Sequence, residues 1–343
     1  MFFIVVYHFC THGIGSNTAY DLNSPLHLSN LIFTDLCLVI SGTCVNLYVL
    51  ISGYFLVCSS FKLSRITRTW FITCFYSFFI TLFLYIANIY SFDATHLAKS
   101  LFPLSTDSYW FVTQFIGMLI LSPLLSILAN KLSCKQYIYL LIGMGIICLS
   151  IIPDFPLGKR FYVAHGNSLL SFIYLYFIAG FIRLHIKGIS SRRLIFLIGM
   201  ITIINLIWSF INGISDGNGH IYWFNYNAIP FLLSVSLFIC IRQITLPEYK
   251  FVTIFVKIAP YTFAVYLIHD HLLIRYYLWN VLPIKDYCYS IAFPILSLLI
   301  CVVIFIICIG IDYCRQMLFK ILKIDNLLTK TDNYSWLFPN EQL

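Results

Sequence analysis

A chain of 343 residues is long enough for two or three soluble domains, yet 60% of it is hydrophobic and only 10% is charged, against ~25% charged for soluble globular proteins. Glu248 and Glu341 are its two glutamates, and apolar blocks of about 20 residues recur from end to end, which excludes a soluble enzyme and predicts an all-α, polytopic membrane protein. The net charge of +8 needs no nucleic-acid partner to explain it, because the basic residues gather between the apolar blocks.

In chain order, the first block spans about 1–12 and opens MFFIVVYHFCTHGIG, with His8 and His12 four residues apart. Nine more follow at about 36–58, 70–90, 109–129, 137–152, 169–185, 194–213, 225–243, 258–280 and 289–313, for ten transmembrane spans in all. Turn-rich breaks separate them, among them SFDATHLAKS, IPDFPLGKR, NGISDGNGH and LPIKDY. After the last span, RQMLFKILKIDNLLTK places apolar residues at helical spacing. That predicts a basic amphipathic helix on the membrane surface, so a membrane domain at 1–313 is followed by a tail at 314–343.

The basic residues set the orientation. Lys62, Arg65, Arg68, Lys131, Lys135, Arg183, Lys187, Arg192, Arg193, Arg242, Lys250, Lys257, Arg315, Lys320, Lys323 and Lys330 fall on one side, sixteen of the 21 Lys and Arg residues. Lys99, Lys159, Arg160, Arg275 and Lys285 fall on the other. The positive-inside rule makes the first side cytoplasmic, together with both termini. Of the 12 cysteines, most lie inside apolar blocks, where cysteine behaves as a small hydrophobe, and no C-x-x-C pair supports a zinc or redox site. An A-x-A-like cleavage site does not follow the first apolar run, so no removable signal is read there.

Ionisable and polar groups inside spans are costly, about 2.5–3.5 kcal/mol for an Asp or Arg at a helix centre, so each needs a reason. The candidates are His8, Asp35 to Asn46, Ser52, Gln114, Asn205, His269, Asp270 and Arg275. Each has an alternative as polar glue between helices. A histidine adds the option of a general base near neutral pH. His8 and His12 have metal-ligand spacing, but acidic partners are scarce and no metal site is expected. Arg65 and Arg68 in FKLSRITRTW share a helix face, where two guanidinium forks can hold a phosphorylated cofactor or serve as membrane-interface anchors beside Trp70. TFAVYLIHDHLLIR gathers His269, Asp270 and Arg275 in the ninth span, with His269 about 17 Å from that span's inner end.

Taken in order, FFIVVYHF, NLYVLISGYFLV, SRITR, YWFVTQFIGMLILSPLL and TFAVYLIHD resemble the acyltransferase 3 family, integral-membrane acyltransferases of which many O-acetylate bacterial surface polysaccharides. The resemblance runs from the first to the ninth span. It implies that His8 is the catalytic base, that Ser52, Gly53 and Tyr54 form the S-G-[FY] motif, and that Arg65 and Arg68 form the R-x-x-R motif associated with acyl-CoA. Tyr266 and His269 match the Y-L-x-H motif of a late span. The implied catalytic set is His8, Ser52, Tyr54, His269 and Asp270, and Gly53 joins the two arginines at the cofactor. Asn46, Trp110, Gln114, Tyr266 and Arg275 are the residues expected toward the acceptor. The oxyanion donor stays open among Ser52, Tyr54 and Asn46.

The family also carries an arginine eleven residues before its first-span histidine, and counting back from His8 passes Met1. A 12-residue span reaches only ~18 Å of a ~30 Å hydrocarbon core. The expected start therefore lies upstream, Met1 being an internal methionine; a short isoform or a degraded gene is the alternative. The function implied is transfer of an acetyl group from acetyl-CoA to a saccharide hydroxyl at the bacterial inner membrane. The expected partners are the lipid bilayer, acetyl-CoA and the saccharide acceptor, without metal or nucleic acid, and self-association is left open. A sugar transporter or flippase, and an inactive relative acting as an interaction subunit, are the competing readings.

Overall fold

The computed structural model describes residues 1–15, 18–106, 108–149, 166–215, 228–245, 249–282 and 284–333. The break IPDFPLGKR with Lys159 and Arg160, the part of NGISDGNGH beyond Ser215, Glu248 and Glu341 lie outside them. The described residues contain helices and turns and no strand.

The helices in order are α1 (Phe2–His8), which continues as a π-helical turn at Phe9–Gly15, α2 (Pro25–Ser41), α3 (Cys44–Leu56), α4 (Leu63–Ile86) and α5 (Ala94–Ser100). Then come α6 (Trp110–Lys131), α7 (Cys134–Cys148), α8 (Leu169–His185), α9 (Ser191–Ser215) and α10 (Ala228–Arg242). The chain closes with α11 (Lys250–Ile258), α12 (Thr262–His269), α13 (Leu272–Val281), α14 (Phe293–Ile321) and α15 (Ile324–Lys330). Among the described residues, six helical stretches have the length and apolarity to cross a membrane: Pro25–Leu56, Leu63–Ile86, Trp110–Lys131, Ser191–Ile211, Val252–His269 and Phe293–Ile321. Four shorter apolar helices accompany them, Phe2–Gly15, Cys134–Cys148, Leu169–His185 and Pro230–Arg242.

Helix starts follow from local chemistry. Ser24 caps α2 by accepting from His27 N–H with Pro25 at the first helical position. Asp93 caps α5 through Thr95 and His96, and Ser133 with Gln136 forms a reciprocal capping box on α7.

Three expectations differ from the structure. The block read as one span at 36–58 belongs to two helices, because the chain turns at Gly42–Thr43 and α2 begins at Pro25. The block at 258–280 is interrupted twice, by a 3₁₀ turn at Ala259–Tyr261 and by the step at Asp270–His271. The amphipathic tail helix is two pieces: its first half is the end of α14, which runs unbroken to Ile321, and Lys323 then turns the chain at φ 56° into α15.

Contacts divide the molecule into two ends. At one end, Asn130 Nδ2 donates to Val57 O (2.9 Å) and Gln243 Oε1 accepts from Ile189 N (2.8 Å). This end gathers Arg65, Arg68, Arg183 and Arg242. At the other, Asn30 Nδ2 donates to Cys288 O and Ser290 O (2.9 and 2.8 Å), and Tyr90 donates to Leu273 O (3.0 Å). Between them α3 lies tight on α8: a Cβ on Gly53 would sit 3.1 Å from both the Ala179 Cβ and the Tyr176 Cα. Only glycine permits that backbone approach. Helix α1 packs among α2, α12 and α14.

Candidate active site

The polar centre of the molecule is built by α1 and by the step between α12 and α13. His8 Nδ1 lies 2.9 Å from His269 Nε2 and 3.2 Å from Asp270 Oδ1. Arg275 Nε stands 2.7 Å from the same Oδ1, and its Nη2 donates to Asp270 O at 3.3 Å. His8, His269 and Asp270 are 7%, 1% and 1% exposed, so a buried carboxylate sits against two buried imidazoles, with Arg275 partly exposed on its outer side. His269 neighbours Cys308, thirteen residues from the far end of the 29-residue α14, which places the cluster midway along that helix.

The hydrogen bonds fix the tautomers. His269 Nδ1 faces Val265 O at 2.5 Å, and a carbonyl oxygen only accepts, so the proton of His269 is on Nδ1. Its Nε2 is then a lone pair, and His8 Nδ1 must be the donor between the two rings. That leaves the Nε2 of His8 as a free base, with Asp270 and Arg275 beside its N–H.

Backbone freed by the helix break is satisfied locally. His271 caps α13 by accepting from Leu273 N–H (3.3 Å) through Nδ1, while its Nε2 faces Ser77 O and Thr81 Oγ1 of α4, each at 3.3 Å. Tyr109 donates to Leu267 O at 2.8 Å. The exposed His12 ring is 5.2 Å from that of His8. His8, His12 and Asp270 offer ligand atoms within 4.8 Å of one another. Their one carboxylate oxygen is also 2.7 Å from Arg275 Nε.

The remaining residues singled out above divide between the centre and the basic end. Tyr266 stands one turn before His269, buried, its hydroxyl making no hydrogen bond among the described residues. Trp110 and Gln114 are half-buried on the first turns of α6, with the Trp110 ring 6.4 Å from Phe172. Ser52 donates back to Tyr48 O (2.8 Å) within α3, Asn46 donates to Ser234 on α10 (3.1 Å), and Gly53 is the contact point with α8. None of these three is in contact with the His8 cluster in the hydrogen bonds of the described residues.

At the basic end, Tyr54 carries a role that its spacing does not disclose. Arg183 Nη1 donates to its hydroxyl at 3.0 Å, and the guanidinium carbons of Arg183 and Arg242 lie 4.8 and 5.8 Å from its ring centroid. Arg242 also donates to Ile182 O and Ile186 O (3.2 and 3.1 Å), closing the last turn of α8. Arg65 binds Ser59 Oγ and Ser60 O, both at 3.1 Å. From sequence, Arg183 and Arg242 count only among the basic residues of the cytoplasmic side. Arg315, read the same way, is buried: it pairs with Asp312 through Nε–Oδ1 at 2.6 Å and Nη2–Oδ2 at 3.1 Å, and Tyr76 donates to Asp312 at 2.7 Å.

The break at Asp270–His271 thus sets His8, His269, Asp270 and Arg275 together level with the middle of α14, away from the basic end. The family profile described as an acyltransferase domain matches residues 1–313, and the chain belongs to the acyltransferase 3 family. No curated protein and no solved structure matches it.

Proposed function

We propose that the protein moves an acetyl group from acetyl-CoA to a hydroxyl of a surface or exopolysaccharide sugar. In this reading it sits in the bacterial inner membrane with ten spans, the six long helical stretches and the four shorter ones together. The basic end and both termini then face the cytoplasm.

The observation that carries this reading is the layout of α4. Its Ser77 and Thr81 meet His271 beside the His8 cluster, while Arg65 and Arg68 lie on its first turns. At 1.5 Å per residue, the two levels are separated by roughly 14 Å (Arg68 to Ser77) to roughly 24 Å (Arg65 to Thr81). A donor whose phosphates and reactive thioester are joined by a long flexible arm spans such a gap. Arg65 and Arg68 would hold its phosphates by bidentate bonds, and Arg183 over Tyr54 adds a third guanidinium at that end.

At the centre, His8 Nε2 accepts the proton of the acceptor hydroxyl as its oxygen attacks the thioester carbonyl. The imidazolium is steadied by His269 Nε2 and Asp270 Oδ1 at its Nδ1–H, and Arg275 balances the charge of Asp270. The imidazolium then returns the proton to the departing thiolate. The buried hydroxyl of Tyr266, on the helix face of His269, is the side chain best placed to meet the oxyanion or the acceptor. Replacing His8 by Ala in the full-length protein and assaying acetylation of the surface glycan tests the proposal, and unchanged acetylation overturns it.

A further inference from the structure

The segment 324–333 folds back onto the first turn of α4. Asp325 brings Oδ1 to 3.2 Å from Arg68 Nη2. Asp332 accepts twice from Ser64, from its backbone N–H to Oδ1 and from its hydroxyl to Oδ2, both at 2.7 Å. The hydroxyls of Thr331 and Thr67 meet at 3.2 Å. Helix α4 has a use for these groups. Its N-cap residue is Lys62, which makes no side-chain capping bond, so its first-turn N–H groups take their acceptor from elsewhere in the chain.

The tail therefore presents two carboxylates to a guanidinium and a helix N-terminus, the pair of features that a phosphate group also seeks. We propose that 324–333 is an intramolecular competitor of the acyl donor: Asp325 and Asp332 occupy Arg68 and Ser64 in the resting protein, and donor phosphates displace them. This rests on the assignment of Arg68 to the donor made above. The contact is suited to exchange. The side chains of Arg68 and Asp325 are 46% and 47% exposed, so their ion pair is weak and screened by salt. A two-residue turn, Leu322 and the left-handed Lys323 at φ 56°, joins α15 to α14, so the tail is tethered by a turn and not by continuous helix.

Calorimetric binding of acetyl-CoA to the full-length protein in nanodiscs tests this. Asp325→Asn and Asp332→Asn keep an oxygen acceptor and remove the charge. Each is expected to tighten the Kd by about two- to fivefold, the range that an exposed ion pair supports. Asp286→Asn, exposed at the opposite end, leaves the Kd as it was, and Arg68→Ala weakens binding. If Arg68→Ala weakens binding while both tail variants leave it unchanged or weaken it, the tail is a cap and the competition is wrong. Equal tightening by Asp286→Asn also overturns it, as a general charge effect. If Arg68→Ala leaves the Kd unchanged, the donor assignment itself fails and takes the competition with it.

Discussion

His8 and His269 are 261 residues apart in the chain, yet Nδ1 of the first lies 2.9 Å from Nε2 of the second. Because Val265 O claims the other nitrogen of His269, the pair has one consistent proton arrangement, and it leaves His8 with its lone pair outward. His8→Ala should lower kcat by about 10²–10⁴-fold. In the proposed mechanism His269 orients the base without touching the acceptor, so His269→Ala should lower kcat less, with the KM for donor little changed. The double variant should be no worse than His8→Ala alone. Independent, multiplying losses in steady-state kinetics would show that the two rings act separately.

Asp312 and Arg315 form an ion pair whose side chains are 1% and 7% exposed. Removing one partner strands a buried charge, so Asp312→Ala should destabilise the protein by about 3–5 kcal/mol. Replacing both with Leu and Met should recover much of that loss. Thermal unfolding in detergent checks it, and a double variant as unstable as the single one would contradict the argument.

Gly53 has no room for a side chain, whereas Gly199 and Gly310 have nothing within 4 Å of an added Cβ. Gly53→Ala should push α3 from α8 at a cost of about 1–3 kcal/mol. Gly199→Ala and Gly310→Ala should be neutral or stabilise by up to ~1 kcal/mol, as expected of alanine within helices. Unfolding midpoints measured side by side decide it; equal effects at the three positions would remove the close-approach explanation.

Arg183 bonds the Tyr54 hydroxyl and lies over its ring. If this end takes the donor phosphates, Arg183→Ala should raise the KM for acetyl-CoA several-fold and leave kcat nearly unchanged. Tyr54→Phe keeps the ring and loses one hydrogen bond, so its effect should be smaller. A lower kcat at constant KM would instead place Arg183 in the chemistry.

Much of this architecture could be read from hydrophobic blocks. The sixth block, 169–185, coincides with α8, and the long helices α4, α6 and α14 each contain most of a predicted span. The breaks were hidden because apolarity runs through them. The α12–α13 step has no Gly or Pro at Asp270 or His271, and its cap is a histidine, outside the usual capping residues. His8, His269, Asp270 and Arg275 stood out as costly groups in apolar surroundings, and the structure brings those four together. Asn46 and Ser52 stood out for the same reason and turn out to be bonded to a neighbouring helix and to their own. The partners at the basic end were out of reach, since the placement of Arg183 over Tyr54 and of Asp325 on Arg68 depends on which helix ends converge.

The step at Asp270–His271 also bears on the electrical integrity of the bilayer. A helix interrupted halfway exposes peptide dipoles where the hydrocarbon should insulate, and any file of water reaching it would leak protons. On one flank the Tyr266 ring packs against those of Phe111 and Tyr109, with centroids 5.6 and 5.9 Å away. The Asp270 carboxylate is balanced by Arg275, so the pair carries no net charge. If the His8 cluster is the reaction centre proposed above, it doubles as a seal, and substitutions that open it to substrate should make the membrane leaky to protons.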